Sequence, residues 1–158
     1  QAELVYRFLL TGKLPLSIDA KELELNVADL VVAPTLDRWI TAALAAVSTA
    51  YTIFGGLVVP QLQDQKVAVF WGVQVATIPL PVGRLIFRRQ AAAGNIMAQF
   101  DLETLETKRT LEGLFSEPVV IDPRESFAVQ VLAKIATGAG AVVKLNNFVF
   151  EAQGKTVA

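Results

Sequence analysis

The strongest constraint on this chain is an alternation of period two that recurs between turn residues. Successive side chains on a strand point to opposite faces, so this period reads as sheet rather than helix. Val67, Val69, Trp71, Val73 and Val75 form one face of the longest run, and Ala68, Phe70, Gly72, Gln74 and Ala76 form the other. Both faces are apolar enough to be covered, as in a central strand of a packed double sheet. Leu4, Tyr6 and Phe8 alternate with Val5, Arg7 and Leu9 up to the turn Thr11-Gly12-Lys13. Leu23, Leu25 and Val27 alternate with Glu22, Glu24 and Asn26, giving a half-buried strand. Phe127, Val129 and Val131 alternate with Ala128, Gln130 and Leu132, and Val143, Leu145, Asn147 and Val149 alternate with Val142, Lys144, Asn146, Phe148 and Phe150. Shorter strands are expected at residues 49–53, at 85–87 after the Pro79–Gly83 breaker, and at 119–121 before Asp122-Pro123. Eight or so strands without regular helices between them predict an all-β sandwich or barrel.

At 158 residues the chain has room for one domain, taken here as residues 1–158. No repeat, low-complexity tract or linker divides it. Hydrophobic residues make up 53% and charged residues 18%, which excludes intrinsic disorder. The absence of cysteine excludes disulfides, Fe–S clusters and a thiol nucleophile. The absence of histidine excludes a Ser-His-Asp relay and His-bound zinc. No basic region leads an apolar core at the start, so no signal peptide is visible.

Helix is expected only around residues 101–113, where Asp101 caps a turn, Leu102, Leu105 and Glu106 share a loose helical face, and Gly113 ends it. A short helix is also compatible with residues 36–47. Residues 39–63 carry no charge, long enough to raise the question of a membrane span. Thr41, Ser48, Thr49, Tyr51, Thr52, Gly55, Gly56 and Pro60 interrupt that stretch, and strands of one sheet system flank it. A buried core segment is the expectation, with a membrane-facing or assembly-buried surface as the alternative.

Few constellations carry chemistry. Net charge is −1, and neither half of the chain is a cationic arm, so no phosphate-tracking stripe exists. The densest basic cluster is Arg84, Arg88 and Arg89; on a strand the first two share a face and the third points away. Their plainest role is to discourage pairing at a sheet edge, and the sharper one is a phosphate, headgroup or subunit contact. Glu103 and Glu106 fall on one helical face, but nothing implies an apolar pocket that would raise either pKa. Gly138-Ala139-Gly140 lacks the further glycine and strand–helix context of a phosphate loop and reads as a hairpin. Asp122 and Glu125 flank a turn without the spacing of a calcium loop. Trp39, Trp71, Phe70, Phe148 and Phe150 form either a stacking platform or, at strand spacing, core and subunit contacts. No cofactor or metal site is expected, and an enzyme is the least favoured class.

The C-terminal third carries a layout of its own. Gly113-Leu114-Phe115-Ser116-Glu117-Pro118-Val119-Val120-Ile121-Asp122-Pro123-Arg124-Glu125-Ser126-Phe127 leads through an alternating strand and a Gly-rich turn into a final strand at residues 141–151. With Val69-Phe70-Trp71-Gly72-Val73 and Gly83-Arg84-Leu85-Ile86-Phe87 upstream, the whole resembles the single vertical jelly-roll major capsid proteins of tailless icosahedral phages with an internal membrane, such as those infecting Thermus. That resemblance implies an eight-stranded jelly roll that acts as a capsid shell subunit in the virion, made in the host cytoplasm and without catalysis. It implies partners too: further copies of the chain, a second capsid protein and contact with the internal membrane, but no specific nucleic acid. Phe148, Phe150, Arg84 and Arg88 are then the expected interface residues, and the final strand and tail would add to a neighbouring sheet edge. The rivals are a carbohydrate- or receptor-binding β-sandwich, as in a decoration or fibre domain, and a carrier of an apolar ligand.

Overall fold

The computed structural model describes residues 17–22, 25, 30–32, 44, 46–55, 60–64, 66–75, 81–90, 94–107, 112–137 and 143–153. Within them lie β1 (Ser17–Glu22), β2 (Leu30–Val32), β3 (Ala50–Phe54), β4 (Gln61–Leu62), β5 (Lys66–Val75), β6 (Val82–Arg89) and β7 (Ile96–Asp101). A single helical turn, α1 (Glu103–Thr107), precedes β8 (Glu112–Ile121), β9 (Phe127–Ala133) and β10 (Val143–Gln153). One sheet has the order β1-β10-β5-β8, a second has β3-β9-β6-β7, and β2 pairs with β4 separately.

Set the small β2–β4 ribbon aside and the eight remaining strands pair from the outside inward. The first pairs with the last (β1 with β10), the second with the seventh (β3 with β9), the third with the sixth (β5 with β8) and the fourth with the fifth (β6 with β7). Every pair is antiparallel, and successive pairs fall in alternate sheets. A ribbon folded back on itself and wrapped in this way is the jelly-roll arrangement. The chain is therefore an all-β sandwich, as the alternation predicts. The sheets do not close into a barrel: among the described strands β1, β8, β3 and β7 are the edges.

The core lies between the sheets. Phe70 and Phe127, both fully buried, reach across it from opposite sheets with ring centroids 6.0 Å apart. Phe54 stacks on Phe127 at 5.2 Å, and Phe70 meets Phe87 at 5.3 Å. Leu44, Ile53, Phe54 and Leu62 from the uncharged stretch are core residues, whereas residues 46–50 of it are exposed, so the stretch is not one buried segment. Among the described residues no helix is long and apolar enough to cross a membrane. Trp39 lies outside the described residues, as do most of residues 36–47 and the strand expected near the N-terminus.

Several local expectations are corrected. Of the strand expected over residues 22–27, Leu25 is buried outside a strand, with its N–H bonded to Asn147 Oδ1 at 2.6 Å, and residues 23, 24, 26 and 27 lie outside the described residues. Strand β1, at Ser17–Glu22, is not among the expected strands. The central strand does not alternate throughout, because Trp71 is an extra residue against β10, between the Phe70–Asn147 and Gly72–Asn146 pairs. Ala68 and Phe70 face the core before it, and Val73 and Val75 face the core after it. A bulge opposes two residues to one, so the alternation changes face without a break in the strand. The edge strand β7 escapes the alternation rule, being half-exposed along most of its length. The runs at 85–87 and 119–121 are parts of longer strands. The helix is five residues long; Asp101 Oδ1 accepts the Glu103 N–H as expected of a cap, but Gly113 lies inside β8.

Candidate interaction surfaces

Strand β5 is the spine of the first sheet, and its outward side builds the first surface. The bulge turns Trp71 outward, where its ring stacks on Phe148 at 5.8 Å and 19°. Phe148 pairs with Val69 and Phe150 with Val67, so both phenylalanines lie on this outer side, alternating with core-facing Asn147 and Val149. Leu114 lies opposite Gly72 and is 74% exposed. The indole Nε1 of Trp71 is buried without a hydrogen-bond partner. Toward the far end the same side becomes polar: Gln74 Nε2 and Asn146 Nδ2 both donate to Glu112 Oε1, at 3.2 and 3.0 Å. The structure thus stacks Trp71 on Phe148, places Phe150 farther along the same side, and puts Phe70 in the core.

Arg84 and Arg88 build a second surface on the outer side of the other sheet. Both lie in β6, opposite Leu132 and Ala128 of β9, and share a face as the period predicts. The edge reading of these arginines fails, because β6 is an interior strand between β9 and β7. Arg88 Nε donates to Gln130 Oε1 at 2.8 Å and its Nη1 to the Gly94 carbonyl at 2.9 Å. Gln130, only 7% exposed, is held in turn by Nε2 donating to Thr52 Oγ1. Arg84 Nη1 reaches Gln99 Oε1 at 3.4 Å. Arg89 points away and pairs with Glu125 at 2.7 Å.

Glu125 has a role that its sequence position only hinted at. One carboxylate oxygen accepts the Asp122 N–H at 3.0 Å and the other takes Arg89, tying the β8–β9 turn to the end of β6. Arg124 sits in the left-handed region at φ 62° and pairs with Asp64 at 3.1 Å. These carboxylates are committed to the fold, and no cluster fit for a metal ion occurs among the described residues. Gly138-Ala139-Gly140 and the tail beyond Gln153 lie outside the described residues, as does the Glu106 side chain.

A groove of about 480 Å³ separates the edge strands β7 and β8, lined by Met97, Gln99, Phe100, Glu117 and Pro118 among others. Opposite the single Trp71, β8 loops out over residues 115–118. The loop carries Phe115 onto Phe100 of the other sheet, with centroids 3.9 Å apart. The expectation that the final strand adds to a neighbour's edge is overturned: β10 is paired on both sides, by β1 and β5, and its backbone is used up. Its outward side chains are what it can offer. No family model, curated protein or solved structure matches the chain.

Proposed function

We propose that this jelly roll is a shell subunit of a virion, working by packing against neighbours and not by turning over a substrate. A fold by itself carries no function, so the reading leans on the surface as well as on the jelly-roll strand order. The observation that carries it is the outer side of the first sheet, where exposed Leu114 lies beside half-buried Trp71, Phe148 and Phe150 on a molecule with few charges. Apolar side chains left partly accessible on a sheet face suit an interaction site, and obligate interfaces are more apolar than ordinary surface. In this reading the partners are further copies of the chain, then a second shell protein and the internal membrane of the particle. The test is mass in solution across concentration and in assembly-promoting salt, by light scattering. A discrete dimer or larger particle is expected; a strict monomer at the highest concentration overturns the proposal.

A second reading has its own support. Glu112, Gln74 and Asn146 set acid and amide groups beside the Trp71–Phe148 stack, the pairing of hydrogen-bonding groups with a ring face that a sugar takes. Clear hits on a glycan array, lost in Trp71→Ala, would favour a carbohydrate-binding sandwich instead.

A further inference from the structure

We propose that the Arg84–Arg88 face of the second sheet seats the β8 loop of a second copy, whose Glu117 supplies the carboxylate that these two guanidinium groups lack. The inference rests on the shell reading for its premise that copies associate.

The four described arginines fall into two kinds. Arg89 and Arg124 each hold a carboxylate, Glu125 and Asp64. Arg84 and Arg88 hydrogen-bond only to neutral oxygens, the Gln99 amide, the Gln130 amide and the Gly94 carbonyl; Asp101, the cross-strand neighbour of Arg84, forms no ion pair with it. No carboxylate lies within ion-pair distance of either among the described residues. Arg88 is also half-buried and held by two hydrogen bonds, one of them to an almost fully buried glutamine that is itself anchored. A cation withdrawn from water without an opposite charge loses hydration and gains little in return. Its geometry is set in advance, so an arriving carboxylate meets a guanidinium already in place.

Glu117 is the matching group. It is exposed on the outward loop of β8, and no described residue pairs with it. Pro118 follows it and has no N–H, so this part of the edge docks through side chains better than by adding a strand. The two arginines are four residues apart on one strand, about 13 Å at strand rise, and flank buried Ile86. Two cations on a chain of net charge −1 are a poor grip on nucleic acid or on an anionic membrane, which call for larger basic clusters. They suit a single carboxylate on a surface of the same overall charge. The two patches differ, one a sheet face and the other a sheet edge, so the contact is head-to-tail and builds rings or open arrays.

The experiment is a charge swap in the full chain, read by sedimentation velocity over a range of concentrations. Arg84→Glu and Glu117→Arg should each weaken self-association about tenfold, and the double variant should recover most of it. Arg84→Gln and Glu117→Gln introduce no repelling charge and serve if a reversal fails to fold; each should weaken association about threefold. The proposal is overturned if the variants associate like the wild type, or if the double variant is no better than the single ones. Association of the wild type and all variants alike removes this contact and leaves the shell reading intact. A wild type that stays monomeric throughout removes the shell reading itself.

Discussion

Asn147 is 4% exposed on the core-facing side of β10, where its neighbours in the alternation are Leu145 and Val149. Its Nδ2 donates to the Leu145 carbonyl at 3.0 Å and its Oδ1 accepts the Leu25 N–H. A buried amide is tolerated in such a place because both ends are satisfied. In Asn147→Leu the size is nearly kept, but the Leu25 N–H loses its acceptor. We expect a loss of about 2 kcal/mol and a melting temperature lower by roughly 4–8 °C, followed by circular dichroism. An unchanged melt would mean that the Leu25 N–H finds another acceptor. That Asn147 faces inward is legible in the alternation; why it is an asparagine is not, because its partner lies 122 residues away. The same holds for Arg84 and Arg88. Their shared face follows from spacing alone, whereas the missing carboxylates become visible only once β9 and the loop at Gly94 are placed beside them.

The approach of β8 to β5 depends on Gly72. A Cβ there would stand 2.9 Å from the Gly113 carbonyl and 3.2 Å from Asn146 Nδ2, so the neighbouring strand can come this close only against a hydrogen. Gly72→Val should push β8 off the sheet and cost upwards of 2 kcal/mol, more than glycine's strand penalty could return. Chemical denaturation measures it, and a neutral result would mean that the backbone at Gly113 moves aside freely. Elements were legible where most of a strand is buried, as in β5 and β9, since nearly every position then reports burial. They were not legible at β7, an edge strand whose Gln99 and Asp101 stay wet, nor at the Trp71 bulge, which swaps faces without a turn residue to announce it. Strand β1 lies in a stretch that reads as ordinary polar sequence, Ser17 to Glu22, and is a strand because β10 pairs with it.

For the whole molecule, the pairing order is the fact that no local pattern contains. Alternation gives faces, and the nesting of first strand with last is decided by which faces can be covered at once. Only β6 with β7 is a local hairpin among the four nested pairs; β1 must wait for β10 across more than a hundred residues. Loop closure on that scale makes folding slow, since the entropy is lost before the contacts form. Refolding from denaturant should therefore take on the order of seconds or longer at 25 °C, with the β6–β7 region protected first in pulsed hydrogen exchange. Millisecond refolding, or protection appearing first in β1, would contradict this order.

Ser17 at the start of β1 faces Gln153 at the end of β10. Among the described residues, the first strand thus begins where the last one ends, at one corner of the sheet. A pull between those two points loads the β1–β10 ladder like a zipper, one hydrogen bond at a time, and never shears a row of them together. The molecule should then be soft to tension applied there and stiff to compression across its two sheets, where the phenylalanines already touch. A shell built from such pieces would bear load through its faces and yield through its ends.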